Sequence, residues 1–258
     1  MIRLYGKNRQ HVAQGRPCYW TDVKGWRKQR KRITGQAPLV VNVASKSKLE
    51  DFRNLSPMRM GPVPCYREKG KLITAVSVEV AWQYSKIYSH VLTPAGKLVD
   101  ISRRFLTQDA QGRPVPTEAW FAWRNAAFTH PGFHHTHPDF VKSKPLIRRA
   151  FPKGSVIAYW YWKGRLLNAV QARQQIYAQL YCRFVRKTPG FQLLQEIAVG
   201  RDVHLFDFDG YDWQTLGKTP AECLQDCDHS FGHGMVISFL LQNINPTKLV
   251  PPQDHKLL

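Results

Sequence analysis

Acidic residues, cysteines and long apolar runs are all scarce in this chain of 258 residues. The chain has 18 Asp and Glu and 38 Lys and Arg, so the formal net charge is +20. Five Cys, odd in number and widely spaced, do not make a disulfide framework. No apolar run approaches the roughly 20 residues that a membrane-spanning helix needs, and the first residues lack the apolar core of a signal peptide. We therefore expect a cytoplasmic protein in a reducing compartment, with no membrane partner.

Phosphate-binding loops and repeats are missing as well. The sequence contains neither GxGxxG nor GxxxxGK[ST], and it has no internal period between 20 and 50 residues. We expect no cofactor, and the sequence does not indicate an oligomeric state.

Two segments are rich in potential metal ligands, but neither has a standard zinc spacing. Prolines interrupt the first segment, which favours a surface loop near phosphate or one with incidental metal affinity. The second favours buried thiols near a helix start. We therefore expect no metal, although zinc at the second segment stays open. The two sets are His130, His134, His135, His137 and Asp139, and Cys223, Cys227, His229 and His233.

The basic residues concentrate near the start of the chain, in a segment from 1 to 36 that we interpret as an N-terminal arm. Trp20 and Trp26 lie just before its densest part. Cations interleaved with aromatic residues suit contact with phosphates and stacking on bases. The excess of positive charge thus predicts a nucleic-acid partner, DNA or RNA, and the alternative is a mobile basic tail. The expected contacts are Arg27, Lys28, Arg30, Lys31 and Arg32.

A globular domain is expected from residue 37 to residue 258, because apolar residues make up 43% of the chain. Short Val-rich or aromatic runs predict strands, and apolar stripes at helical spacing predict helices. The resulting order fits α+β better than a regular doubly wound sheet. The predicted strands cover 37–45, 156–162 and 202–208, and the predicted helices cover 78–91, 116–128, 166–186 and 235–242.

Three polar residues share one face of the helix predicted over 78–91. At 100° per residue, Gln83 and Lys86 lie 40° and 20° to either side of Glu79. Ser77 is a plausible N-cap for this helix. Taken alone, such a face is typical of a solvated helix surface.

The surrounding residues resemble the NADAR family of N-glycosidases, which act on ADP-ribose-type substrates. Its members carry an F-x-N-x-x-P-like segment and a following Gly, matched by Asn54, Pro57 and Gly61, and then a V-E-x-A-[WY]-Q-x-x-K segment. This chain has Val80 where the family usually has His, and a charged stretch at 67–71 lengthens the gap between the segments. The later family order, ending in an acidic turn and a Gly-led apolar helix, fits the last third of the chain. The second segment is matched by Glu79, Ala81, Trp82, Gln83 and Lys86.

The resemblance implies a mainly helical NADAR-like domain with a few short strands, and it implies roles for the matching residues. Lys86 would be a covalent nucleophile, and Glu79 an acid/base or charge stabiliser at the oxocarbenium-like transition state. Gln83 and Asn54 would position the substrate, and Trp82 would form a wall of the pocket.

An acidic residue from late in the sequence, which we call the late acid, would complete the site. Asp209, which ends a predicted strand at a turn, is our choice, with Asp207 and Asp212 as alternatives. The simpler interpretation of Asp209 is that it only stabilises the turn.

The expected function is therefore an N-glycosidase that removes ADP-ribose from modified guanine in nucleic acid. Three alternatives stay open: an N-glycosidase acting on a free ribosylated metabolite, a non-catalytic nucleic-acid-binding protein with a NADAR-like fold, and a structural or packaging-type basic protein that only the charge supports. Tight, sequence-indifferent DNA binding without bond cleavage would favour either of the last two.

Overall fold

The computed structural model describes residues 1–5, 39–44, 47, 50–92, 95–129, 155–207 and 210–250. Its strands are β1 Ile2–Tyr5, β2 Leu39–Asn42, β3 Val63–Glu68, β4 Lys71–Ala75, β5 Lys86–Leu92, β6 Leu98–Asp100, β7 Leu106–Gln108, β8 Pro114–Pro116, β9 Val156–Trp162, β10 Arg165–Leu167 and β11 Val203–Phe206. Its α-helices are α1 Glu50–Arg53, α2 Val78–Tyr84, α3 Ser102–Phe105, α4 Glu118–Thr129, α5 Ala169–Ala172, α6 Gln179–Val185, α7 Pro189–Gly200, α8 Pro220–Gln225 and α9 His233–Leu241. Arg173–Ala178 is a π-helix, and Pro57–Arg59 and Pro246–Lys248 are 3-10 turns.

The chain forms two compact units, one of Met1–Met60 with Arg173–Leu258 and the other of Gly61–Ala172. We call them the terminal unit and the central unit. Helices and strands contribute to both, so the fold is α+β as the sequence predicts.

A three-stranded parallel sheet in the order β1-β11-β2 organises the terminal unit. Alternate residues of its strands, Leu4, Val41 and Leu205, are almost completely buried, as expected of a sheet packed on one face. Helix α9 packs on this sheet, and its apolar sequence from Met235 to Leu240 is buried throughout.

Strand β1 was missed by sequence reasoning, which placed Ile2–Tyr5 in the basic arm. These residues instead pair with β11 in register Ile2↔Val203. The alternation of Ile2 and Leu4 inward with Arg3 between them is a strand pattern, but four residues beside a charged segment give a weak signal.

The central unit contains an antiparallel sheet in the order β10-β9-β5-β6 and two hairpins, β3–β4 and β7–β8. Helices α2 and α4 pack together. Their aromatic side chains meet where the Tyr84 ring lies 4.6 Å from that of Trp123, which also contacts Phe105 at 5.3 Å. These rings form the core under the segment that carries the candidate site.

The helix predicted over 78–91 is wrong in its second half. Helix α2 ends at Tyr84, and Lys86 begins strand β5. The buried Ile87 and Tyr88 lie on that strand, which pairs with β9. The segment from 87 to 91 is rich in β-branched and aromatic residues, so the strand partner overrides a helical spacing that arises by coincidence.

The helix predicted over 166–186 is also corrected. Arg165–Leu167 is a strand, the helical segment begins at Ala169, and residues 173–178 are wound as a π-helix. The other predicted elements are present: β9 has the predicted bounds, and the remaining boundaries differ by a few residues.

Candidate active site

Helix α2 is fixed at its start by two local features of the sequence. The Ser77 hydroxyl accepts a hydrogen bond from the Val80 backbone N–H at 3.1 Å, which caps the helix as predicted. Gly61 lies against the backbone just before it: a Cβ at this position would lie 2.7 Å from the Val76 carbonyl carbon and 2.9 Å from Ser77 Cα. Only glycine allows this approach, which gives the Gly of the upstream motif a physical reason.

The structure brings Glu79, Gln83 and Lys86 into one hydrogen-bonded row. The Gln83 side-chain N–H donates to Glu79 Oε1 at 2.7 Å, and Lys86 Nζ donates to Gln83 Oε1 at 2.6 Å. Glu79 and Lys86 are each only 9% exposed, whereas Gln83 is half-buried. The three side chains thus meet although Lys86 stands on a strand rather than on the helix.

The end of α2 determines where Lys86 lies. The Ser85 hydroxyl donates to the Ala81 carbonyl at 2.6 Å, and the chain then leaves the helix. The Lys86 backbone carbonyl accepts a hydrogen bond from Trp120 Nε1 at 2.9 Å. This indole comes from α4, so a buried contact from a second helix holds the backbone of Lys86.

Aromatic rings form one side of the row. The Trp82 ring stacks on Trp160 with centroids 5.5 Å apart and planes 24° apart, and Lys86 Nζ lies 5.3 Å from the centroid of Trp82. A cation over an indole face gains electrostatic stabilisation. The half-buried Trp82 and the buried Trp160 therefore form the aromatic side of the row, of which the sequence singled out Trp82 alone.

Trp160 was missed by sequence reasoning, and only strand register could have found it. Strand β9 places Trp160 directly opposite Lys86 in the antiparallel pair with β5, and directly opposed residues share a face of the sheet. Within the described part of the chain, no atom accepts a hydrogen bond from Trp160 Nε1, which is buried. Pairing between β5 and β9 is irregular just after Lys86, on both sides of Tyr88.

The remaining candidates for the site, Asn54 and the late acid, belong to the terminal unit. Asn54 follows α1, where its backbone N–H donates to the Glu50 carbonyl at 2.8 Å. Asp209, our choice for the late acid, lies outside the described residues. Its two alternatives, Asp207 and Asp212, are both buried.

Asp207 and Asp212 are engaged in different structural contacts. Asp207 Oδ2 accepts from the Gly234 backbone N–H at 2.9 Å and lies 3.2 Å from His233 Nδ1, at the start of α9. Asp212 pairs with Arg3 at 3.3 Å and accepts from the Thr215 hydroxyl at 2.7 Å. Asp207 thus caps an apolar helix, and Asp212 secures the first strand.

The two histidines of the second segment rich in potential metal ligands contact different carboxylates. His229 Nδ1 lies 2.8 Å from Asp226 Oδ2, whereas His233 contacts Asp207. Burial raises the pKa of the Cys223 thiol to about 11, so this sulfur stays protonated near neutral pH. Among the described residues, no group of three or more His, Cys, Asp or Glu side chains is arranged to hold a metal ion.

Asp226 is the most strongly perturbed of the described carboxylates. Burial by itself raises its pKa, but hydrogen bonds from Lys218 at 2.6 Å and from His229 outweigh burial and lower the pKa to about 2. Buried Arg173 holds the surrounding loop by donating to the carbonyls of Leu224, Asp226 and His229. We interpret the role of this cluster as structural, because its contacts hold the loop in place.

The other predicted contacts lie outside the described residues. They are the basic residues Arg27, Lys28, Arg30, Lys31 and Arg32, and the histidine-rich segment from 130 to 139. In the part of the chain that is described, no helix is long and apolar enough to cross a membrane.

Comparison with known proteins gives this chain no relative. No protein-family model matches it, and no curated protein and no solved structure is significantly similar to it.

Proposed function

We propose that this chain is an N-glycosidase-type hydrolase with a NADAR-like fold, which removes ADP-ribose from modified guanine in nucleic acid. The observation that carries the proposal is the row Glu79–Gln83–Lys86, buried at both ends and lined by Trp82. A carboxylate, an amide and an amine in sequence, beside an aromatic face, are the groups that this reaction needs. The motifs that resemble the NADAR family coincide with these residues.

The chemistry follows from the positions in the row. The Lys86 amine attacks the anomeric carbon of the ribose, and the bond between that carbon and the guanine nitrogen breaks. Glu79 first takes a proton from the Lys86 ammonium, which frees the amine for attack, and then gives that proton to the departing nitrogen. Water then adds its hydroxyl to the anomeric carbon and a proton to Nζ, which releases ADP-ribose and free Lys86.

Gln83 has a positioning role in this proposal. Its amide contacts Glu79 with the N–H end and Lys86 with the oxygen end, so one side chain fixes both reacting groups. Such fixed geometry is worth large factors in rate, because a misplacement of about 1 Å can cost ~100-fold. Trp82 would hold the sugar or base against its exposed face.

Residues outside the row have further roles in this proposal. Asn54 would position the substrate, and Asp209 would be the late acid. The basic residues at 27–32 would contact the nucleic acid, and the enzyme would work in the cytoplasm. The net charge of +20 supports a polyanionic substrate, because attraction to phosphates scales with the cations presented.

Substrate choice tests the proposal. Wild-type protein is incubated with an oligonucleotide carrying ADP-ribosylated guanine and, separately, with a free ribosylated nucleoside, over a range of salt concentrations. We expect ADP-ribose release from the oligonucleotide that falls steeply with salt. Salt-insensitive cleavage of the small substrate alone would instead indicate a metabolite hydrolase, and binding without cleavage of either would indicate a non-catalytic protein.

A further inference from the structure

Two hairpins of the central unit end in the same unusual turn. Strands β3 and β4 are joined at Lys69–Gly70, with φ of 47° and 80°, and strands β9 and β10 are joined at Lys163–Gly164, with φ of 52° and 80°. Two-residue turns with both φ values positive favour Asn or Asp before the Gly, because these side chains tolerate left-handed backbone. Lys stands at this position in both turns. Each turn therefore has a positive charge at its tip, on a backbone conformation that is strained for Lys.

The two hairpins contact each other near their turns. The Tyr66 ring on β3 contacts the Trp162 ring on β9 edge to face, with centroids 4.6 Å apart. Trp162 directly precedes Lys163, and Tyr66 is three residues before Lys69. The hairpins therefore carry their cations at neighbouring ends. The exposed cations at these ends, which we call the hairpin patch, are Arg67, Lys69, Lys71, Lys163 and Arg165.

The single acid of these two hairpins is already engaged. Glu68 pairs with the buried Arg124 at 2.7 Å and accepts a hydrogen bond from the Tyr161 hydroxyl at 3.1 Å. Residues 61–75 and 155–168 contain no other Asp or Glu. Arg124 thus offsets the charge of Glu68 from beneath, and the positive charge of the patch is left facing solvent.

We propose that the hairpin patch binds the phosphodiester backbone of a nucleic acid. Paired cationic tips on short rigid hairpins match a row of phosphates, and exposed Lys and Arg bind them with release of counterions. Trp162 lies two residues beyond Trp160 on the same face of β9. At about 3.3 Å per residue, Lys163 lies roughly 10 Å along β9 from Trp160, which is opposite Lys86 in the candidate site. A nucleic-acid strand bound by the patch would pass beside Lys86, so the patch also supports the proposed function.

Substitution by Asn tests the patch without disturbing the turns. The variant Lys69→Asn/Lys163→Asn removes two charges, while Asn is better suited than Lys to left-handed backbone, so the fold is retained. Its matched control is Arg103→Gln/Lys187→Gln, which removes two exposed cations elsewhere in the described chain. Binding of an unmodified oligonucleotide, as duplex DNA and as single-stranded RNA, is followed by fluorescence anisotropy from low to moderate salt.

We expect the Asn variant to raise Kd roughly tenfold at about 0.1 M salt, and to reduce the slope of log K against log salt by about 2, since each lost phosphate contact removes about 1. The two oligonucleotides show which nucleic acid the patch prefers. Equal Kd and slope for the Asn variant and the control would overturn the proposal, as would patch-dependent binding to anionic lipid vesicles with none to either oligonucleotide. No turnover is required, so failure here is distinct from failure of the glycosidase proposal.

Discussion

Substitution of Gly61 by Ala tests how the motif upstream of the site supports it. A Cβ at 61 would lie 2.7 Å from the Val76 carbonyl carbon, where ordinary contacts are 3.4 Å or more. The Val76 carbonyl oxygen lies closer still, so the two backbone segments must separate by more than about 0.7 Å. Because backbone rather than a flexible side-chain end blocks the space, we expect a loss at the upper end of the overpacking range, about 3 kcal/mol in the free energy of unfolding.

The displacement should also reach the site. Ser77 is the N-cap of α2 and lies directly at the obstruction, and Glu79 follows two residues later. A shift approaching 1 Å at a reacting group costs up to ~100-fold in rate. We expect turnover of the folded Gly61→Ala protein to fall between about 10-fold and about 100-fold.

Urea unfolding followed by tryptophan fluorescence measures the first effect, and ADP-ribose release per folded molecule measures the second. The control is Gly200→Ala at the end of α7, where no atom lies within 4 Å of the new Cβ. That change should be neutral or stabilising by up to about 1 kcal/mol. If Gly61→Ala unfolds at the same urea concentration as wild type and turns over at the same rate, the close approach does not support the site.

Three further predictions concern local contacts. Ser77→Ala should destabilise the protein by about 1 kcal/mol, and Ser77→Asp should retain most of the stability, as measured by thermal unfolding; equal losses for both would exclude a capping role. The pKa of Asp226 is held at about 2, below its unfolded value, so its contribution is present above about pH 4 and lost as pH falls toward 2. Acid titration of stability should show about 2 kcal/mol less loss over this window in Asp226→Asn than in wild type, and identical curves would contradict the assignment. Iodoacetamide near neutral pH should modify the exposed Cys227 long before Cys223, whose thiol is buried and protonated; peptide mapping that finds Cys223 labelled first would show the opposite exposure.

The elements that could be predicted from the sequence are those with a long and bounded apolar pattern. The aromatic run at 156–162 and the strand around 203–206 lie within or close to their predicted limits, and the apolar helix α9 differs by two residues or fewer. The prediction failed after Tyr84, because Ile87, Tyr88 and Val91 fit a helical stripe and a buried strand equally well. Only the pairing with β9, which is remote in sequence, decides between them.

The row of three polar residues could be predicted from spacing, yet for a partly wrong reason. Four-residue spacing places Gln83 near Glu79 on a real helix, but Lys86 reaches Gln83 from the first position of a strand. Trp160 and the hairpin patch could not be predicted, since both depend on strand register and on contacts between separate hairpins. Local sequence contains no information on such pairings.

The most direct measurement compares wild type, Lys86→Ala and Lys86→Arg on an oligonucleotide carrying ADP-ribosylated guanine, with ADP-ribose release followed by mass spectrometry. The account predicts release by wild type alone, with both variants folded, because Arg keeps the charge of Lys but provides no usable amine. Trapping of a sugar adduct on the wild-type peptide that contains residue 86 would locate the bond. Full release by folded Lys86→Ala would contradict the assignment of Lys86 as the nucleophile.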